Sequence, residues 1–212
     1  MHNELAKRLE QTPIVPLIAA DNPVMAVHTA AALRDGGLSV IEVVMRSDMA
    51  QICMEEIVDQ CDDVIVGAGT VLTVEQAQSV HASGAQFIVC PGLVDDVVRY
   101  CLDEQLPIYP GTMTAGEVQR AYALGLRDVK FFPASLAGGP AMLKALSAVF
   151  REMRFMPTGG ISADNLSEYL ALPQVLACGG SWLTPKSAVE AEDYSEVTRL
   201  AREAVAIARS SR

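Results

Sequence analysis

Ile14-Val15-Pro16-Leu17-Ile18-Ala19-Ala20-Asp21-Asn22-Pro23 opens the regular part of the chain. Its apolar, partly β-branched start reads as a buried strand, and the turn after that strand decides the fold. A doubly wound open sheet usually carries a glycine-rich phosphate turn after its first strand. The stretch Ala19–Pro23 contains no glycine. Further runs of the same kind begin near Ser39 (SVIEVVM), Val64 (VIVGAGT), Gln86 (QFIVCPG), Leu106 (LPIYPGT), Asp128 (DVKFFPA), Arg154 (RFMPTGG) and Val175 (VLACGGS), 20 to 26 residues apart. Helical spacing fills the intervals over Val24–Arg34, Met49–Val58, Val74–Ala82, Val94–Glu104, Ala115–Leu124, Ala141–Phe150 and Asn165–Leu170. Gly36–Gly37, Gly84 and Gly125 close several of these segments as helix C-terminal stops. Eight strands alternating with helices predict right-handed βαβ units and a parallel sheet. The expected fold is α/β: a (β/α)8 TIM barrel forming a single domain over residues 1–212. An extra N-terminal helix is expected over Glu4–Gln11, covering the barrel bottom, and Val197–Arg209 reads as the eighth helix.

Composition narrows the function. Half of the 212 residues are hydrophobic and 20% are charged, which suits a buried core, while aromatics at 5% leave that core to Val, Ile, Leu, Ala and Met. Sixteen basic residues against 26 acidic ones give a net charge of −10 with no Lys/Arg run, so no nucleic-acid partner is expected. Met1–Glu10 lacks the continuous apolar stretch of a secretory signal, and no run reaches the ~18–20 apolar residues of a membrane span, so no membrane partner is expected. Five dispersed cysteines without a C-x-x-C pair read as reduced core thiols of a cytoplasmic protein.

Chemistry in such barrels sits at the C-terminal ends of the strands. In Asp128-Val129-Lys130-Phe131-Phe132-Pro133, alternation puts Lys130 and Phe132 on one face. Desolvation disfavours an ammonium ion there, which is what an amine nucleophile needs. The bland alternative is a lysine snorkelling to water or neutralised by Asp128. Glu42, in Ile41-Glu42-Val43-Val44-Met45-Arg46, shares a face with Val44 and Arg46. A carboxylate in an apolar strand needs a partner or a role. It could form an ion pair with Arg46 or Lys130, or transfer protons beside Lys130 while Arg46 grips an anion bidentately. Thr158-Gly159-Gly160 and Gly179-Gly180-Ser181 end the last two strands, where backbone N–H groups of glycine turns can approach a phosphate closely. Thr70 is the best polar pocket residue among Gly67–Thr70, Cys90–Gly92 and Tyr109–Thr112, which otherwise read as turns. His2, His28 and His81 have no ligand-like spacing, so no metal site is expected, and the cysteines lack a histidine base. Trp182 reads as packing.

Together these segments resemble, in order and spacing from about Ile14 to the C-terminus, the class I 2-keto-3-deoxy-6-phosphogluconate (KDPG) aldolases. The carriers are Ile41–Arg46, Val66–Leu72, Gln86–Gly92, Val129–Ala134, Pro157–Ile161 and Gly179–Leu183. The resemblance implies Lys130 as the Schiff-base lysine and Glu42 as the general acid/base. It implies Arg46 and Thr70 as pyruvate-binding positions, and Thr158 as a substrate-binding position linked to stereoselectivity. Pro91 and Phe132 would be pocket walls, and Gly159, Gly160, Gly180 and Ser181 the phosphate-binding region. It also implies a cofactor-free, metal-free homotrimer of the Entner–Doudoroff pathway. The reaction would be retro-aldol cleavage of KDPG to pyruvate and glyceraldehyde 3-phosphate, with 4-hydroxy-2-oxoglutarate as a shorter substrate. Val44-Met45 replaces the common Thr-Leu, and the loop Ser135–Gly139 differs from the usual one. Cleavage of the galactonate epimer, a phosphosugar epimerase or isomerase, and a catalytically silent phosphometabolite-binding barrel are the alternatives.

Overall fold

The computed structural model describes residues 2–211, with side chains from Glu4 onward. Met1 and Arg212, the two ends of the expected domain, lie outside the described residues, as does the side chain of His2. Helix α1 (His2–Gln11) leads into β1 (Ile14–Ile18), α2 (Pro23–Asp35), β2 (Val40–Val44), α3 (Ala50–Gln60), β3 (Ile65–Gly69) and α4 (Val74–Ala82). Then come β4 (Ile88–Val89), α5 (Asp95–Asp103), β5 (Ile108–Tyr109), β6 (Gly111–Thr112), α6 (Ala115–Ala123) and β7 (Asp128–Phe131). The last elements are α7 (Gly139–Val149), β8 (Arg154–Pro157), α8 (Leu166–Leu170), β9 (Cys178–Gly180), α9 (Lys186–Glu190) and α10 (Tyr194–Ser210).

Side-chain alternation sorts each strand between two cores. Ile14, Ile41, Val66, Ile88, Val129 and Phe155 join the layer shared with the helices. Val15, Val40, Ile65, Phe87, Val89, Tyr109 and Met156 form a second, inner cluster. Leu5 and Leu9, one turn apart on α1, are 3% and 1% exposed and belong to that inner cluster. An otherwise polar N-terminal helix thus buries an apolar stripe of two leucines, while Arg8 on it donates to Asp63 O. Helix starts follow their caps. Asn22 accepts from the Met25 N–H with Pro23 in the first turn, and Thr114 and Glu117 form a reciprocal capping box.

Every ladder is parallel, joining β1–β2, β2–β3, β3–β4, β4–β5, β6–β7 and β7–β8, with β1 also paired to β9. One sheet runs β5-β4-β3-β2-β1-β9 and another β6-β7-β8. Isolated bridges Phe155↔Val175 and Thr158↔Gly179 join β8 to the segment that carries β9. The result is an α/β fold with a curled parallel sheet, and no order reversal of the doubly wound kind.

Three elements depart from the expectation. The single fifth strand is cut into β5 and β6 at Pro110, which has no N–H to give to a ladder, although its carbonyl accepts from Lys130 N–H at 2.9 Å. The eighth strand shrinks to Cys178–Gly180, with Val175 making only a bridge. Helix α9 has no counterpart among the expected helices.

Candidate functional site

Lys130 stands on β7 between Val129 and Phe131, both packed outward, so the strand turns its side chain inward. It is 4% exposed and Glu42, from β2, is 0% exposed. Lys130 Nζ lies 3.6 Å from Glu42 Oε1 and 5.1 Å from the centre of the Phe132 ring. Neither Glu42 oxygen has a hydrogen-bond partner among the described residues. A buried carboxylate in that condition is costly and demands an explanation. Asp128, the alternative partner for Lys130, is occupied by a two-pronged pair with Arg154 at 2.7 and 2.8 Å. Lys130 is therefore neither snorkelling nor neutralised by its strand neighbour.

Two backbone features hold this pair. Glu42 is level with Gly67 in the β2–β3 ladder, and its side chain leans along β3 over Gly69. The position a Cβ would take on Gly69 is 2.1 Å from Glu42 Oε1, so the carboxylate occupies the space that the glycine leaves open. Lys130 is level with Gly111, and Thr112, itself 1% exposed, donates its hydroxyl to the Lys130 carbonyl at 3.0 Å. Thr112 and Gly69 read as turn residues in the sequence. No local signal marks them, because the neighbouring strand sets what they do.

Arg46 does not pair with Glu42. The ladder ends at Val44, and Arg46 reaches out from the following loop, its Nε donating to Thr70 Oγ1 at 3.2 Å. Thr70 adopts φ +61°, a left-handed backbone that β-branched residues avoid, and such strain concentrates at functional positions. Arg46 and Val44 also line a cleft of about 290 Å³ together with Ile18, Asn22 and Thr184.

The remaining expected site residues lie on the same side of the strands. Thr158 follows β8, is 3% exposed and bridges Gly179. Pro91 follows β4, and its carbonyl fills the space where Gly111 would carry a Cβ. Gly159 and Gly160 turn with φ +96° and +77°. Gly180 ends β9 beneath the Trp182 ring, so Trp182 does pack, and Ser181 is exposed in the next loop. Among the described residues no group of three or more His, Cys, Asp or Glu could hold a metal ion, and no helix is long and apolar enough to cross a membrane. Cys90, next to Pro91, is buried, and that burial pushes its thiol up to about 12; it is a packed thiol rather than a nucleophile.

Residues 5–200 match the family profile described as KDPG and KHG aldolase. The 2-dehydro-3-deoxy-phosphogluconate aldolase of Treponema pallidum is 47% identical over 199 residues, covering 94% of this chain and 95% of that protein. The crystal structure of the 2-keto-3-deoxy-6-phosphogluconate aldolase of Zymomonas mobilis ZM4 with 3-phosphoglycerate superposes with a TM-score of 0.92 at 34% identity, covering 100% and 99% of the two chains. The KDPG aldolase of Legionella pneumophila, crystallised with pyruvate captured at low pH as a covalent carbinolamine intermediate, gives a TM-score of 0.91 at 36% identity, covering 94% and 97%.

Proposed function

The chain belongs to the KDPG and KHG aldolase family, and on that premise we propose that it is a class I aldolase cleaving KDPG to pyruvate and glyceraldehyde 3-phosphate. The observation that carries this reading is the buried pair of Lys130 Nζ and an otherwise unpartnered Glu42 carboxylate, 3.6 Å apart. The pyruvate adduct captured in the Legionella pneumophila relative supports the same chemistry here.

The Lys130 amine adds to the C2 carbonyl of the keto-acid, and the carbinolamine takes up one proton and loses water to leave a protonated imine; that proton is given back when the imine is hydrolysed. As the C3–C4 bond breaks, its electrons pass into that imine, while Glu42 takes the C4 hydroxyl proton. The aldehyde product leaves, Glu42 returns a proton to C3 of the enamine, and water hydrolyses the imine to release pyruvate and Lys130. Positioned proton transfer of this kind contributes about 10²–10⁴-fold. The free lone pairs of Glu42 are then explained: they are kept for substrate protons rather than for the protein.

We assign Arg46 and Thr70 to the keto-acid carboxylate, and Thr158 to the region next to the reacting carbons. Pro91 and Phe132 become walls, and Gly159, Gly160, Gly180 and Ser181 hold the phosphate. Anchors at both ends of an extended substrate would align the scissile bond between Lys130 and Glu42. 4-Hydroxy-2-oxoglutarate (KHG), which lacks the phosphate, would be cleaved to pyruvate and glyoxylate with one anchor fewer. We propose the gluconate-derived substrate over its galactonate epimer because the resemblance at Arg46 and Thr158 is closer to the gluconate branch.

Three structural readings belong to the same proposal. β5 and β6 count as one strand interrupted at Pro110, and the bridges between β8 and the β9 segment support closure into an eight-stranded barrel. Helix α1 would cap its lower end, and the barrel would be one domain. Family membership supports a cytoplasmic homotrimer, which light scattering on the purified protein tests.

The central test is chemical. Incubation with pyruvate and borohydride is expected to add one reduced adduct, found by peptide mass spectrometry on Lys130. Labelling of another lysine, or none, overturns the assignment.

A further inference from the structure

The loop that follows β7 carries a hydroxyl, that of Ser135, without a hydrogen-bond partner among the described residues, and its backbone is placed by its neighbours. Past the end of β7 the backbone continues alongside the chain leaving β8. Ala134 N–H donates to Thr158 O at 2.8 Å and Ser135 N–H to Gly159 O at 3.0 Å. The loop then folds back, with Ala137 N–H on Pro133 O and Gly139 N–H on Ala134 O, both at 2.9 Å. Ser135 is exposed, and its backbone is held against the glycine turn. Its Oγ lies 2.1 Å from the point where a Cβ on Gly160 would stand, so any other residue at 160 would collide with it.

The turn beneath it is fixed and has donors to spare. Asn165 Nδ2 donates to Gly160 O at 2.8 Å, and Asn165 Oδ1 accepts from Ser162 N–H at 3.0 Å. The N–H groups of Gly160 and Ile161 donate to no acceptor among the described residues. The Ser135 hydroxyl makes no hydrogen bond there either. Two consecutive unpaired N–H groups on a left-handed turn form a concavity that attracts an anion. A free hydroxyl beside them can donate a further bond, strengthened by the charge of its acceptor.

We propose that Ser135 is a specificity-determining residue that donates its hydroxyl to the distal phosphate of the substrate, above Gly160. The proposal rests on the aldolase reading given above and adds to it a residue from the loop after β7. Phosphate would then be held from three consecutive loops, by Ser135, by the Gly159–Gly160 turn and by Gly180–Ser181. Loss of one hydrogen bond to a charged group at an exposed position lowers affinity about tenfold.

The test compares Ser135→Ala, Ser135→Asp and Ser181→Ala on KDPG and on 4-hydroxy-2-oxoglutarate. For Ser135→Ala the ratio of kcat/KM on KDPG to that on 4-hydroxy-2-oxoglutarate is expected to fall about tenfold, mainly through KM for KDPG. Ser135→Asp is expected to lower the ratio further, because a carboxylate would face the phosphate. If Ser181→Ala lowers the ratio and neither Ser135 variant does, the phosphate loops stand and the role of Ser135 is refuted. If all three variants leave the ratio unchanged, the phosphate assignment beneath the proposal falls with it.

Discussion

Replacing Gly69 by alanine tests how closely Glu42 must be placed. The added methyl would stand 2.1 Å from Glu42 Oε1 and 2.6 Å from both Cγ and Cδ. Ordinary contact begins at 3.4 Å, so the carboxylate must retreat by the difference between 3.4 and 2.1, about 1.3 Å. It cannot do so by a free swing, because Glu42 is wholly buried and its strand is laddered to β1 on one side and β3 on the other. A displacement of about 1 Å at a reacting group costs on the order of 10²-fold. Gly69→Ala is therefore expected to lower kcat for KDPG cleavage about a hundredfold, while borohydride trapping of pyruvate on Lys130 persists. Overpacking should also cost about 1–3 kcal/mol of stability. Gly67→Ala separates the two effects. Its methyl would meet the Phe87 ring at 2.4 Å instead of the carboxylate, so it should lose stability similarly but keep far more turnover per folded molecule. Steady-state pyruvate release and thermal melts on both variants decide the matter. Should Gly69→Ala turn over within threefold of the parent, Glu42 is either not held by this slot or not the proton carrier.

Two further outcomes concern the strained and buried groups. Thr70→Gly removes a β-branched side chain from φ +61°, relieving strain of about 1–3 kcal/mol, and it deletes the acceptor of Arg46 Nε. The melting temperature is expected to hold or rise while KM rises for both substrates, which share the carboxylate; an unchanged KM would remove Thr70 and Arg46 from carboxylate binding. Burial pushes the thiols of Cys90 and Cys101 up to about 12 from an ordinary value of 9.0. The unfolded chain releases these protons from about pH 9, whereas the folded chain keeps them until about pH 12, so stability is full below pH 9 and declines above it. The slope is about 1.4 kcal/mol per pH unit for each thiol. Thermal melts from about pH 8 to about pH 10.5 measure it, and rapid alkylation of either cysteine in the folded protein at about pH 9 would contradict it.

Much of the site was legible in single strands. Lys130 and Glu42 stood out as charges inside apolar runs, and period-two alternation already turned them away from Val129 and Ile41. The glycine pairs at 159–160 and 179–180 marked the ends of strands where an anion is commonly held. Arg46 was assigned by the same alternation, yet the strand ends at Val44 and the guanidinium reaches Thr70 from a loop. Pro110 shows the reverse failure: a missing N–H cuts a strand that apolar patterning alone would run through.

What the chain determines by itself is local: which residues extend, which coil, and which face of each strand is apolar. Those features come from steric preference and from periods of two and 3.6 residues, which involve neighbours in sequence. Only the tertiary structure decided that Gly69 makes room for Glu42, that Arg154 takes Asp128 and so leaves Lys130 to Glu42, and that Ser135 overhangs Gly160. Each of these depends on register and stagger between strands distant in sequence. A shift of one residue there would turn the same side chains to the opposite face.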